Sequence, residues 1–183
     1  MHVPAQMATG PTVSLEQVLA AKEQRAARQA AALARFDTPL VSMTVVMPGP
    51  VKDGWLPRRV LAEALQELEA ASNARDWRVL AREALWPETG PEALYVMDVD
   101  ARILKSATIE LEDHHPVGRL WDLDVMAPRQ GRLSRQDLGY PARRCLLCER
   151  PAHVCGRSRQ HPLEELLNTI GKIVHEHDLR SAA

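Results

Sequence analysis

The chain of 183 residues lacks long apolar runs, has almost no net charge and contains only three cysteines. No segment approaches the roughly 18 apolar residues that cross a bilayer, and the N-terminus lacks the basic and apolar regions of a secretory signal. A net charge of −1 gives no general attraction to nucleic acid or to a membrane surface. The cysteines, all between Cys145 and Cys155, cannot form a disulfide framework. We therefore expect a cytoplasmic protein without a nucleic-acid or membrane partner.

The composition, with 45% hydrophobic and 26% charged residues, is typical of one globular domain spanning residues 1–183. Helical periodicity alternates with β-branched apolar runs, which predicts an α+β fold with a mixed sheet and flanking helices. Helices are predicted over 14–33, 58–72, 101–111 and 162–176. Strands are predicted over 40–47, 77–81, near Leu85, over 93–97 and 120–125, with a return strand at 133–134. Residues 1–13 form an irregular lead-in and residues 143–161 a Cys- and Arg-rich insert.

Two carboxylates, Asp122 and Asp124, lie two residues apart in an apolar run that follows a Gly-Arg turn. In a β-strand, residues two apart project from the same face. Carboxylates held that close repel each other, and a divalent cation relieves the repulsion; Mg²⁺ prefers such oxygen ligands. The pattern predicts a magnesium site for phosphoryl or nucleotidyl transfer. The alternative is a solvent-facing strand edge with two ordinary acids, because this spacing alone is a weak signal.

Candidate phosphate ligands lie after the first predicted strand. The loop 48–54 carries Lys52 and can present backbone N–H groups to an anion, although it lacks the Gly-Lys-Ser/Thr pattern of a Walker loop. Arg58 and Arg59 begin the following helix, where positive charge opposes the helix dipole. A bound phosphate would relieve this conflict. The alternative for the loop is a plain turn.

A second candidate site contains Cys145, Cys148, Cys155 and His161, with His153 as a competing ligand. A Cys-x₂-Cys pair followed by Cys and His has the ligand chemistry of a zinc site. Two alternatives stay open, namely reduced free thiols and a redox pair.

The same segment is the most basic part of the chain. Its arginines form a candidate surface for a polyphosphate or an acidic partner, and a solvated basic loop is the alternative. They are Arg143, Arg144, Arg150, Arg157 and Arg159.

Together these motifs resemble the apo-citrate lyase phosphoribosyl-dephospho-CoA transferase family. The resemblance is carried by residues 109–112, 115–116 and 118–125, by the loop 48–52 and by residues 144–155, and it covers roughly residues 14–175. It implies an enzyme that transfers 2′-(5″-triphosphoribosyl)-3′-dephospho-CoA to a serine of the citrate lyase acyl carrier (gamma) subunit, releasing pyrophosphate. By analogy, a Gly-containing turn before an acid pair on a strand also suggests a nucleotidyltransferase-like fold.

Two alternatives to this function remain. One is a related transferase that acts on the malonate decarboxylase carrier. The other is a non-catalytic, zinc-ribbon-like module that binds an acidic carrier through its arginines. The second alternative leaves Asp122 and Asp124 without a role.

For the implied reaction we predict that Asp122 and Asp124 hold Mg²⁺ against the triphosphate. Arg119 is predicted to clamp a phosphate bidentately, and Gly118 to let the backbone approach the phosphates. Further predicted substrate contacts are Lys52, Arg58, Arg59, Arg143 and Arg144.

The carrier serine also needs a base. Either aspartate could serve, with Glu110 and His115 as alternatives. Because Glu110 and Glu112 do not share a helix face, at most one of them is expected in the site.

Overall fold

Five helices and five strands lie along the described residues 9–181 of this computed structural model. In chain order they are α1 (Leu15–Phe36), β1 (Leu40–Val45), α2 (Trp55–Asn73), β2 (Arg78–Leu85), β3 (Glu92–Asp98), α3 (Ala101–His114), β4 (Trp121–Ala127), β5 (Gly131–Arg132), α4 (Ala152–Ser158) and α5 (Leu163–Ser181). A 3₁₀ turn at Gly118–Leu120 leads directly into β4. Most of the predicted lead-in of residues 1–13 lies outside the described residues. Its end is attached to the chain where Val13 N donates to Pro50 O at 2.9 Å.

The strands form one sheet in the order β2-β3-β1-β4-β5. Every pairing among these strands is antiparallel, so the prediction of a mixed sheet is wrong, while the α+β class is confirmed. A helical crossover can join two strands that are parallel neighbours in a sheet. Instead, α2 connects β1 to β2 and α3 connects β3 to β4, and in each case another strand lies between the two. This is a split βαβ arrangement; the nucleotidyltransferase-like fold stays a prediction.

One face of the sheet carries the main hydrophobic core, which also includes side chains of α2, α3 and α5. Trp121 of β4 is fully buried there, and its indole Nε1 donates to Val60 O of α2 at 2.9 Å. Along β4 the odd-numbered residues from Trp121 are buried, while Asp122, Asp124 and Met126 are partly exposed. The predicted shared face of the two aspartates is therefore confirmed, and it lies opposite the core.

Helix α1 lies over this second face and makes polar contacts. Gln29 Nε2 donates to Ser42 Oγ at 2.7 Å, and Arg25 pairs with Glu92 at 3.0 Å. No residue of α1 is fully buried. The aspartates thus lie on a polar, half-covered surface.

Local signals located most helices well. Ser14 forms the predicted capping box of α1 with Gln17, and Asp100 caps α3 by accepting from Arg102 N and Ile103 N at 2.9 and 3.1 Å. Three elements differ from prediction: α4 was not predicted, β2 is one irregular strand rather than two, and β5 precedes residues 133–134. Over residues 9–181, no helix combines the length and apolar character needed to span a bilayer.

Candidate active site

The two aspartates of β4 border a cleft of about 380 Å³. They face the same side as Ser42 and Thr44, their register partners on β1. Asp124 pairs with Arg132 at 2.8 Å, and Asp122 lies 3.9 Å from Arg143. The cleft is also bordered by Lys105, Glu112, Ser134, Arg135 and His153. Carboxylates and cations thus border the same opening.

Burial and, second, the neighbouring charge of Asp122 together raise the pKa of Asp124 to about 6. Arg132 and Lys105 oppose this rise but do not cancel it. Two oxygen-bearing side chains whose repulsion is incompletely neutralised form a suitable donor set for a hard cation such as Mg²⁺. The residues present therefore fit the predicted metal.

The half of β4 that carries the aspartates is held at its outer edge by side chains instead of another strand. Glu112 of α3 accepts from Leu123 N at 2.8 Å, and Lys105 Nζ donates to Leu123 O at 3.1 Å. Arg143 donates to Trp121 O, and Trp121 N donates to Gly118 O. The backbone on both sides of Asp122 is thereby fixed.

A second, larger cleft of about 660 Å³ lies beside the first. Its charged lining residues include Arg119, Arg143, Arg144 and Arg159, and its apolar ones include Leu146, Leu163 and Leu166. Arg143 borders both clefts. The pair of clefts could therefore take a ligand with an anionic end and an extended, partly apolar remainder.

Arg119 connects this cleft wall to the turn before β4. Its Nη2 donates to Cys145 O at 2.6 Å and to Arg144 O at 3.1 Å. Arg119 therefore lies in the second cleft, beside the first. Its role as a phosphate clamp stays a prediction.

Gly118 is required here by packing. A Cβ at this position would lie 2.3 Å from Leu111 O and 2.8 Å from Glu112 O. Only glycine lets the turn press against the end of α3 and start β4 at this depth. This packing does not test the predicted contact of the Gly118 backbone with phosphates, which stays a prediction.

Glu110 and His115 lie away from the aspartates, and their roles as alternative bases stay predictions. Glu110 and His115 line a different cleft, and Glu110 pairs with Arg75 at 3.5 Å. His115 stacks on Trp121, with ring centroids 4.5 Å apart, on the core side of the sheet. Helix α3 is rotated so that Glu112, and not Glu110, borders the cleft of the aspartates.

Lys52, Arg58 and Arg59 do not border either cleft, and their predicted contacts with the substrate stay predictions. Lys52 Nζ donates to Met47 O at 2.5 Å, within its own loop. Arg58 makes two 2.7 Å hydrogen bonds to Asp53, and this partner lowers the pKa of that carboxyl group. Arg59 pairs with Asp178 of α5 at 2.8 Å. For Arg58 and Arg59, carboxylates inside the protein thus supply the negative charge that a phosphate was expected to bring.

Sequence reasoning missed Lys105, Arg132 and Arg135 as neighbours of the aspartates, and it preferred Glu110 to Glu112. A signal existed for Lys105 and Glu112. Lys105 and Glu112 lie seven positions apart in α3, which places them on one side of the helix, beside the apolar stripe. Polar residues at that spacing indicate a helix edge that faces another element.

The cysteines and His161 do come together. The ligand atoms of Cys145, Cys148, Cys155 and His161 all lie within 4.8 Å of one another. His153, the predicted competitor, borders the aspartate cleft instead. The cluster forms part of the wall of the second cleft.

Comparison with known proteins identifies one family. Residues 13–177 match the family model described as "Apo-citrate lyase phosphoribosyl-dephospho-CoA transferase". A protein of that name from Citrobacter koseri is 45% identical over 178 residues, which make up 97% of each chain. Another of that name from Escherichia coli is 43% identical, again over 97% of each chain. The matched region contains both clefts and the cysteine cluster.

Proposed function

Because the chain belongs to the apo-citrate lyase phosphoribosyl-dephospho-CoA transferase family, we propose that it transfers the phosphoribosyl-dephospho-CoA group to the acyl carrier subunit of apo-citrate lyase. Family membership confirms the prediction of a transferase enzyme and removes the alternative of a non-catalytic binding module. The donor in this proposal is 2′-(5″-triphosphoribosyl)-3′-dephospho-CoA and the acceptor is a serine. The observation that carries the proposal is the pair Asp122 and Asp124, which lie side by side in a cleft bordered by cations.

The proposed reaction is an in-line displacement at phosphorus. The serine oxygen forms a bond to the α-phosphorus, and the bond from that phosphorus to the bridging oxygen of the β-phosphate breaks. The bridging oxygen keeps the electron pair and leaves with pyrophosphate. The serine proton passes to a carboxylate of the cleft, for which Asp122 and Asp124 are the candidates.

Asp122 and Asp124 would also hold Mg²⁺, which when bound neutralises charge on the α-phosphoryl group and the departing pyrophosphate. Arg132, Arg135 and Arg143 surround the same space and favour an anionic donor there. Beyond Arg143, the second cleft offers arginines for the remaining phosphates and apolar side chains for the rest of the donor. The cytoplasmic location expected from the sequence stays a prediction.

The test measures modification of the carrier subunit by its mass increase, together with pyrophosphate release. We expect Asp122→Asn and Asp124→Asn each to lower the transfer rate about 100-fold or more, since even indirect metal contacts are worth 10- to 100-fold. Asp98→Asn is the matched control, because Asp98 ends β3 in an exposed pair with Arg78. Near-normal transfer by both cleft variants would contradict the assignment.

Three further arms separate the parts of the proposal. Removal of divalent cations with a chelator should abolish transfer, and added Mg²⁺ should restore it; chelator-resistant transfer would refute the metal dependence. A carrier whose acceptor serine is replaced by alanine should stay unmodified. Modification of the malonate decarboxylase carrier in preference to the citrate lyase carrier would reassign the acceptor.

A further inference from the structure

The cysteine cluster has the dimensions of a tetrahedral metal site. The four ligand atoms of Cys145, Cys148, Cys155 and His161 lie within 4.8 Å of one another, and Cys148 Sγ is 3.5 Å from Cys155 Sγ. With zinc–sulfur and zinc–nitrogen bonds of about 2.3 and 2.0 Å, tetrahedral geometry separates ligand atoms by about 3.5–3.8 Å. A disulfide would require about 2.05 Å between the sulfurs. The observed separations match a metal site better than a covalent bond.

The local backbone brings these residues together from three directions. Cys145 N donates to Arg150 O, and Ala152 N donates to Arg143 O, both at 2.8 Å, which forms a narrow hairpin. At its tip the N–H groups of Leu147 and Cys148 hydrogen-bond to the sulfur of Cys145. Such N–H···S bonds orient a thiolate toward a metal and stabilise its charge.

The remaining two ligands come from α4 and the turn after it. Cys155 lies in α4, which ends where Arg159 adopts a left-handed conformation with φ 46°. Gln160 N then donates back to Cys155 O at 3.1 Å, and this turn brings His161 to the cysteines. Helix α4, which the sequence did not predict, thus places Cys155 against the hairpin.

An independent observation concerns the hydrogen bonding of the His161 ring. Its Nε2 is buried yet has no hydrogen-bond partner among the described residues. A buried ring nitrogen without a partner is unfavourable, and a metal bond would satisfy it. Cys145 and Cys155 are each only 6% exposed, so solvent water has little access to the cluster.

We propose that Cys145, Cys148, Cys155 and His161 bind one Zn²⁺ with a structural role. Three thiolates and an imidazole are soft ligands that select zinc over Mg²⁺. Four protein ligands leave no open position, which is typical of structural zinc rather than catalytic zinc. The ion would join the hairpin, α4 and the turn at His161 into one unit and so hold the wall of the second cleft. Arg119, which donates to Cys145 O, would be positioned through that unit.

The test is the zinc content of the full-length chain purified without chelator. We expect about one zinc per chain, and a decrease of at least about tenfold in Cys148→Ser and His161→Gln. His153→Gln is the matched control and should retain zinc, because His153 is exposed and lies on the aspartate cleft. Zinc absent from the wild-type chain, or retained fully by both ligand variants, would overturn the proposal.

A second measurement covers variants that fail to fold. X-ray absorption of the wild-type protein should show three sulfur neighbours at about 2.3 Å and one nitrogen at about 2.0 Å. A Cys148–Cys155 disulfide in a peptide map, or a zinc spectrum dominated by oxygen ligands, would also overturn the proposal. These readouts are independent of transfer activity, so a failure here is distinguishable from a failure of the proposed reaction.

Discussion

Replacing Glu112 should reveal how strongly α3 holds the strand that carries the aspartates. Glu112 is 4% exposed and accepts hydrogen bonds from Leu123 N at 2.8 Å and from Arg135 at 2.7 Å. Glu112→Ala leaves the Leu123 N–H without its partner inside the protein. It also removes one of the two carboxylates that neutralise Arg135, whose side chain is 12% exposed.

The size of the loss follows from these contacts. An unsatisfied buried donor costs about 1–3 kcal/mol. Breaking a fully buried ion pair would cost about 3–5 kcal/mol, but Arg135 keeps hydrogen bonds of 2.8 and 2.9 Å to Asp113. We therefore expect Glu112→Ala to lower the free energy of unfolding by about 2–4 kcal/mol in total. At about 2–4 °C per kcal/mol for a chain of this size, Tm falls by about 4–16 °C.

Glu112→Gln separates the two contributions. The amide oxygen can still accept from Leu123 N, whereas the charge facing Arg135 is lost. We expect about half of the effect of Glu112→Ala, or about 1–2 kcal/mol.

The assay is urea unfolding of the full chain, with thermal unfolding as a second readout. Glu110→Ala is the control, because Glu110 lies on the same helix in an exposed pair with Arg75 and should change stability by no more than about 0.5 kcal/mol. If Glu112→Ala is no more destabilising than Glu110→Ala, the side-chain support of the β4 edge is not what stabilises this region.

Three further predictions concern packing, capping and pH. Gly118→Ala should destabilise the chain by more than about 3 kcal/mol in urea unfolding, because its Cβ would meet two carbonyl oxygens. Gly156→Ala should be neutral or stabilising, because the added Cβ would meet no described atom within 4 Å beyond its own helix backbone and chain neighbours. Asp100→Ala should cost about 1 kcal/mol in the same assay, since it removes the N-cap of α3. Burial, followed by a hydrogen bond to a carboxylate, raises the pKa of Tyr95 to about 12. The unfolded chain loses this proton near pH 10, so the stabilising contribution is complete below pH 10 and declines as pH rises toward about 12. Ultraviolet titration of a Tyr140→Phe variant, in which Tyr95 is the remaining tyrosine, measures that pKa; a value near 10 would refute the argument.

The sequence was sufficient for those features that depend on neighbouring residues. Alternation along β4 placed Asp122 and Asp124 on one face, and the capping box at Ser14 located the start of α1. Such features follow from backbone periodicity and from hydrogen bonds over three or four residues. The family resemblance, which is now confirmed, rested on the same short motifs.

Features that depend on contacts between distant parts of the chain could not be predicted from the sequence. Strand order is set by which hydrophobic faces meet, so the antiparallel sheet could not be read from the alternation of helices and strands. The charge of Arg59 suggested a phosphate, but its partner Asp178 comes from the distant helix α5. The choice between Glu110 and Glu112 depended on how α3 is rotated against β4, which is set by tertiary packing.

The bonded edge of β4 restricts how an acceptor protein can approach the aspartates. Trp121 and Leu123 direct their backbone groups outward, and each of these groups already has a partner within the chain. Addition of an extended segment to a sheet edge requires unpaired backbone donors and acceptors. Those at Trp121 and Leu123 are already paired, so a protein cannot reach Asp122 by extending the sheet there. In the proposed reaction, an acceptor protein would therefore contact this part of the cleft through the side chains of its charged rim.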